Sequence, residues 1–391
     1  MPSTTLIVGG GTGGIVAAST LRGLLPSNHR VVLLERQPDF HMGATKTWVM
    51  LGERTRQQVS ARLDSLKRRG VDVMRTQVLR IDPAARSVRT RDGQLKGDFL
   101  VIALGADYRM EAVEGLARAA ETFYTLDGAE RLRPRLREFE GGDVVILIPR
   151  GPFKCPPAPY EGAFLLHHFF NLRGIGARTR IAVHTFEGAP MATAGPEVGG
   201  FIRDELQKRG IGCHPLQRTK SVDPARRTVL FEDGSEAKFD LLIAVPPHAA
   251  PEAVRDSGLT NQSGWIPADP KTLQMPGSEG CFAIGDVSVV PLPGRFKPDS
   301  PLVLPKAGVF ATSQGRVVAG QIAARVLGRD PQDAFDGRGF CYVEMGDRHA
   351  MKGEGSFFDL PSPTMRKRVP DMTQLEEKHR WVQDWMRTYL A

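Results

Sequence analysis

Apolar and polar positions along the chain fall into two alternating periods. "TTLIVGGG" (4–11) is a continuous apolar run that stops at glycines. "TGGIVAASTLRGLL" (12–25) carries apolar residues at helical spacing, and "HRVVLLER" (29–36) is a second apolar run. Short apolar runs bounded by turn signals describe strands buried on both faces, and the 3.6-residue period between them describes a crossover helix. Residues 4–36 therefore predict a βαβ unit. The same pattern returns in "GDVVILIP" (142–149), a helical stretch over 160–173, and "RTRIAVHTFEG" (178–188). Two further pairs repeat: "LKGDFLVIALGAD" (95–107) with "EAKFDLLIAVPPH" (236–248), and "DPAARSV" (82–88) with "DPARRTV" (223–229). Similarity at this level indicates an internal structural repeat. The predicted fold is α/β, with two tandem Rossmann-like dinucleotide-binding domains. The first is discontinuous (1–110 and 265–325), the second spans 111–264, and 326–391 form a small C-terminal region. "LPKAGVFATSQGRVVAGQIAARVLG" (304–328) predicts a long helix closing the first domain.

Glycines at the first strand–helix junction give this pattern a chemistry. Gly9, Gly11 and Gly14 form G-x-G-x-x-G, with Gly13 beside them. The spacing allows a tight turn, close backbone approach and a helix N-terminus aimed at a pyrophosphate. Glu35 ends the second strand, where a carboxylate meets ribose hydroxyls. Arg36 and Val78 are further candidate cofactor contacts. Two later strands end in turns at Gly105 and at Gly285-Asp286, and an aspartate so placed reaches a ribityl hydroxyl. The dinucleotide is therefore expected to be FAD. Lys306, ahead of the long helix, adds positive charge to a helix N-terminus facing the ring edge.

The second domain departs from its own pattern. "RGPFKCPPAPYEGAF" (150–164) stands where a second glycine-rich loop belongs, yet prolines crowd the turn and Cys155 sits in the middle. Without the glycine turn, a nicotinamide cofactor is excluded. The chain has four cysteines, Cys155, Cys213, Cys281 and Cys341, with no metal-type spacing. Net charge is +8, but the basic residues are scattered without interleaved aromatics, which argues against nucleic-acid binding. No apolar run approaches twenty residues, and "MPSTTLIVGGG" shows no basic-then-apolar leader. The expected location is cytoplasmic or peripheral to a membrane.

With "IVGGGTGGIVAASTL", "CPPAPYEGAF", "LPKAG" and "GFCYVEMGDRHA" (339–350), the chain resembles the sulfide:quinone oxidoreductase and flavocytochrome c sulfide dehydrogenase branch of the disulfide-reductase-like flavoproteins. The resemblance implies that Cys155 and Cys341 face the flavin as a redox-active disulfide or trisulfide pair. Sulfide, or a related small thiol, would attack this bridge, and electrons would pass through FAD to quinone or to a c-type cytochrome. Glu161 is a candidate base for the incoming sulfide, or a cap of the first helical turn. A reactive cysteine at a helix N-terminus, with Lys154 beside it, is expected to have a depressed thiol pKa. Quinone-reducing members often carry a third cysteine and a histidine where this chain has Tyr124 and Gly128, which leaves the acceptor open. Alternative readings are a cytochrome-linked subunit, a type II NADH:quinone reductase-like enzyme, and a non-catalytic flavin-binding redox sensor.

The C-terminal "LEEKHRWVQDWMRTYLA" predicts an amphipathic helix, its face formed by Trp381, Trp385 and Tyr389. Such a helix packs on its own domains, lies on a membrane surface or meets a second copy in a homo-oligomer; packing is the preferred reading. Phe357 and Phe358 are candidate walls of a quinone pocket.

Overall fold

The computed structural model describes residues 1–391. Its first sheet is parallel, with strands in the order Cys281–Ala283, Phe99–Ile102, Thr4–Val8, Arg30–Glu35 and Asp72–Arg75. Leu6, Ile7, Val8 and Val31 to Leu34 are essentially buried, as uninterrupted apolar runs require when helices cover both faces. The chain leaves this sheet after Phe99–Ile102 and returns for Cys281–Ala283, so the first domain is discontinuous. The Thr12–Leu24 helix packs directly on the Gly308–Val326 helix. A Cβ on Gly315 would stand 2.7 Å from the Gly13 carbonyl oxygen, so only glycine permits this approach.

The second sheet is also parallel, ordered Gly212–His214, Thr179–Thr185, Gly142–Ile148 and Leu241–Ala244. The Ala158–Leu172 helix covers it, with Tyr160 and Phe164 fully buried. Each domain also carries a three-stranded antiparallel excursion: Val78–Asp82, Ser87–Thr90 and Gly93–Lys96 in the first, Thr219–Asp223, Thr228–Phe231 and Glu236–Lys238 in the second. The repeat extends to backbone angles. Arg86 and Arg227, at matching positions of the two "DPA" turns, have φ of 49° and 50°.

The long helix begins at Gly308 rather than at 304. The preceding residues are used otherwise: Cys155 N donates to the Lys306 carbonyl at 2.7 Å, tying the cysteine loop to the entrance of the helix.

The C-terminal region is a three-stranded antiparallel sheet (Arg338–Gly346, His349–Ser356, Thr364–Lys367) followed by the Met372–Leu390 helix. Asp371 caps that helix by accepting from Gln374 N at 2.8 Å. Its aromatic face is used within the chain. Trp385 stacks on Phe40 at 5.0 Å and donates to Thr312 Oγ1, and Arg316 donates to Tyr389 Oη. Packing on the chain's own domains is thus the reading the structure shows. No helix is long and apolar enough to cross a membrane.

Candidate active site

The dinucleotide end comes first. A Cβ on Gly14 would fall 1.9 Å from the Gly9 carbonyl oxygen, so the turn cannot form with any larger residue there. A Cβ on Gly11, by contrast, would meet only the Ala103 carbonyl oxygen, at 3.9 Å. The Thr12–Leu24 helix starts behind it with no side-chain cap and no acid in its first turn, leaving its leading N–H groups for a pyrophosphate. Glu35 accepts from Gly10 N at 2.7 Å and from Gln37 N at 2.8 Å, which fixes its carboxylate at the strand end. Gly105 and Gly285 both have φ near +70°, and the half-buried Asp286 carboxylate has no partner within the protein. These residues fit FAD. Arg36 is exposed without a partner, and Val78 packs half-buried at the start of the first antiparallel excursion.

Cys155 sits in the left-handed region (φ 54°) just ahead of the Ala158–Leu172 helix. A non-glycine residue there is strained and depends on its surroundings to hold it. Cys341 lies on Arg338–Gly346, the first strand of the C-terminal sheet. Both thiols are free, and Cys341 lines a cavity shared with Phe153, Pro156 and Pro157, the neighbours of Cys155. The expectation of a depressed thiol pKa is corrected. Although Cys155 reaches solvent, the protein packed around its sulfur, then the Glu161 carboxylate, pushes it up to about 11, outweighing Lys378, the Ala158 N–H and Lys46. Burial, then Cys155 and Glu161, pushes Cys341 up to about 12. Both are thiols at neutral pH. Cys213 and Cys281 belong to the two sheets, away from this pair.

Glu161 is buried in a charge network. Its Oε1 lies 3.1 Å from Lys378 Nζ, and its Oε2 accepts from Glu344 N. Lys378 also meets Glu344 at 2.5 Å, and Trp48 Nε1 donates to the same Glu344 oxygen at 2.7 Å. One lysine thus serves two carboxylates. Burial raises Glu161, and Glu344 adds to the rise against the pull of Lys378, while the two carboxylates raise Lys378 despite its own burial. With its pKa raised by burial and by Glu344, the Glu161 carboxyl takes up a proton more readily than an exposed carboxylate. Glu344 and Lys378 were not singled out from the sequence. Their signal was there: Lys378 shares a helical face with Val382, Trp385 and Tyr389, and a charge on an apolar face announces a buried partner.

Lys306 is buried with its ammonium on the carbonyls of Asp286 (2.6 Å) and Ser288 (3.0 Å), and 3.5 Å from the Trp265 ring centre. Its charge therefore braces the loop that carries Asp286. Burial pulls its pKa down to about 8. An apolar cavity of about 330 Å³ opens beside it, with Phe153, Pro157, Phe186, Phe340, Cys341 and Phe357 among its walls. Residues flanking Cys155 line this cavity, although Cys155 itself does not. Of the two phenylalanines singled out from the sequence, only Phe357 faces it; Phe358 packs on Phe335 at 5.5 Å.

The fold and the dinucleotide cradle define an FAD-dependent oxidoreductase. The family profile described as pyridine nucleotide-disulphide oxidoreductase matches residues 3–147, and that of the central part of the sulfide dehydrogenase [flavocytochrome c] flavoprotein chain matches 129–246. The sulfide-quinone reductase of Aquifex aeolicus is 25% identical over 94% of this chain and 86% of its own length. The mitochondrial sulfide:quinone oxidoreductase of Mus musculus is 21% identical over 92% and 79%. The crystal structure of the Aquifex aeolicus sulfide:quinone oxidoreductase superposes with a TM-score of 0.88 at 23% identity, covering 98% of this chain and 91% of that one. These similarities, spanning nearly the whole chain, are to the flavoproteins of the sulfide:quinone oxidoreductases and flavocytochrome c sulfide dehydrogenases.

Proposed function

We propose that the protein oxidises sulfide through Cys155 and Cys341 and delivers the electrons, by way of FAD, to a quinone. The observation that carries this reading is that Cys341 lines one cavity with Phe153, Pro156 and Pro157, the neighbours of Cys155, in the segment where the second domain lacks its glycine turn. Hydrosulfide attacks the Cys155–Cys341 bridge. One S–S bond forms and one breaks, leaving a persulfide on one cysteine and a thiolate on the other. A second hydrosulfide removes the outer sulfur as a hydrodisulfide, and re-forming the bridge releases two electrons and a proton. Glu161, in the first turn of the helix that follows Cys155, would exchange that proton. FAD, when bound, would supply two-electron redox chemistry between the thiols and a quinone. Gly11, Gly14, Glu35, Gly285 and Asp286 would hold FAD. The apolar cavity with Phe357 and Phe340 on its walls suits a quinone ring.

The match of residues 129–246 to a cytochrome-linked flavoprotein chain favours a c-type cytochrome as the second reading. Anaerobic titration of the holoprotein tests both. Sulfide is expected to bleach the flavin band, and NADH is not. A short-chain quinone or cytochrome c, added next, restores the band and identifies the acceptor. Bleaching by NADH but not by sulfide would overturn the proposal.

A further inference from the structure

One lysine joins the segments that carry the two cysteines. Glu161 lies in the first turn of the Ala158–Leu172 helix, and Ala158 N donates to the Cys155 carbonyl at 2.9 Å, so that helix begins on the Cys155 loop. Glu344 lies three residues beyond Cys341 on the Arg338–Gly346 strand, and its backbone N–H donates to Glu161 Oε2 at 3.1 Å. Helix and strand press together at the strand's end, where a Cβ on Gly346 would stand 2.6 Å from His168 Cβ. Into this seam the Met372–Leu390 helix sends Lys378, whose Nζ meets Glu161 Oε1 at 3.1 Å and Glu344 Oε1 at 2.5 Å. The side chains of Lys378, Glu161 and Glu344 are 2%, 7% and 6% exposed, too deep for water to replace the lysine.

Two buried carboxylates sharing one cation are stable only while all three stay in contact; without the cation, like charges face each other. Here that contact spans a helix and a strand, so it opposes their separation. A direct bond between Cys155 and Cys341 has the same requirement, since a disulfide needs its two Cα atoms within about 7 Å. The dithiol has no such requirement. Holding the two segments together therefore favours the bridged form, because less freedom is lost when the sulfurs join.

We propose that Lys378 is a positioning residue for the cysteine pair: its double ion pair with Glu161 and Glu344 ties the helix that follows Cys155 to the strand that carries Cys341, and so stabilises the bridged form over the dithiol. The proposal rests on the reading of these two cysteines as a redox pair. It does not depend on sulfide as the reductant or on what accepts the electrons.

The test equilibrates the holoprotein anaerobically at pH 7 in mixtures of reduced and oxidised dithiothreitol. Each bridge that is reduced takes two electrons and two protons from dithiothreitol, which closes to its cyclic disulfide, and leaves two thiols. Acid quenching, alkylation and mass spectrometry of the Cys155 and Cys341 peptides give the bridged fraction. Lys378→Met should shift the equilibrium toward the dithiol by about tenfold, a midpoint about 30 mV higher. Glu344→Gln, a milder change that keeps the lysine and removes one of its partners, should shift it the same way by a smaller factor. Lys378→Arg, whose fork reaches two carboxylates, should keep most of the wild-type preference. Leu116→Ala opens a cavity in the separate core on the far face of the second sheet and controls for lost stability: it should lower Tm and leave the midpoint in place. An unmoved midpoint in both Lys378→Met and Glu344→Gln, or an equal shift in Leu116→Ala, would overturn the role of Lys378 and leave the cysteine pair standing. A wild type that forms no Cys155–Cys341 bridge in any mixture would reject the pair, and this role with it.

Discussion

Cys155 is held in a conformation its side chain disfavours, within protein that opposes its ionisation. With thiol pKa values raised to about 11 and about 12, the reduced pair should alkylate slowly at pH 7, and the rate should climb about tenfold per pH unit through pH 10. After burial, the Glu161 carboxylate is the largest influence on Cys155. Glu161→Gln is therefore expected to speed iodoacetamide alkylation of Cys155 at pH 8 by roughly three- to tenfold. An unchanged or slower rate would show that this carboxyl is already neutral. Lys378→Met would leave Glu161 and Glu344 facing each other without their cation, a loss of about 3–5 kcal/mol when a buried pair is broken. Chemical denaturation of the holoprotein measures it. The segments carrying both cysteines and Glu161 stood out in the sequence through their resemblance to a known family rather than through local pattern. Their raised pKa values did not, because desolvation depends on what the rest of the chain places around a sulfur.

Among the elements, the glycine turn and both long helices were readable, whereas their close packing at Gly315 was not. Gly315→Val should force the Thr12–Leu24 and Gly308–Val326 helices apart. The protein is expected to purify with reduced flavin content and a lowered Tm, measured by the flavin-to-protein absorbance ratio and by melting. The C-terminal helix was legible as amphipathic, but periodicity alone cannot say what an apolar face meets. Its partners, Phe40, Thr312 and Arg316, come from distant parts of the chain. Trp385→Ala should cost about 3–5 kcal/mol, as for other large buried aromatics. Melting would show it, and vesicle binding should not change if that face serves only the interior. The start of the long helix at Gly308 was misread because its preceding residues pair with the Lys154–Cys155 loop, a contact invisible to local pattern.

At the scale of the molecule, the two-domain repeat was written in the "DPAARSV" and "DPARRTV" turns, and the backbone repeats with them. The second domain has the same kind of parallel sheet, with a proline-rich loop carrying Cys155 after its first strand. The whole molecule also carries a pH response. His41 and His184 are pushed down to about 4 and His248 to about 3, each chiefly by burial. Below their ordinary value of 6.5 the unfolded chain binds protons that the folded chain refuses, so stability falls as pH drops through that window. Glu53, Glu161 and Glu187, raised by burial, act in the opposite sense. A single-histidine comparison isolates the effect. Relative to wild type, His184→Gln should gain about 1–2 kcal/mol of stability between pH 7 and pH 5, read from paired denaturation curves. The central claim is that electrons reach FAD through the Cys155–Cys341 pair. Rapid anaerobic mixing of sulfide with wild type, Cys155→Ser and Cys341→Ser, each with a full complement of FAD, tests it most directly. The account expects fast flavin bleaching in the wild type and a rate lower by about two orders of magnitude or more in both variants, the scale of loss when a covalent catalytic group is removed. Bleaching at the wild-type rate in either variant would contradict it.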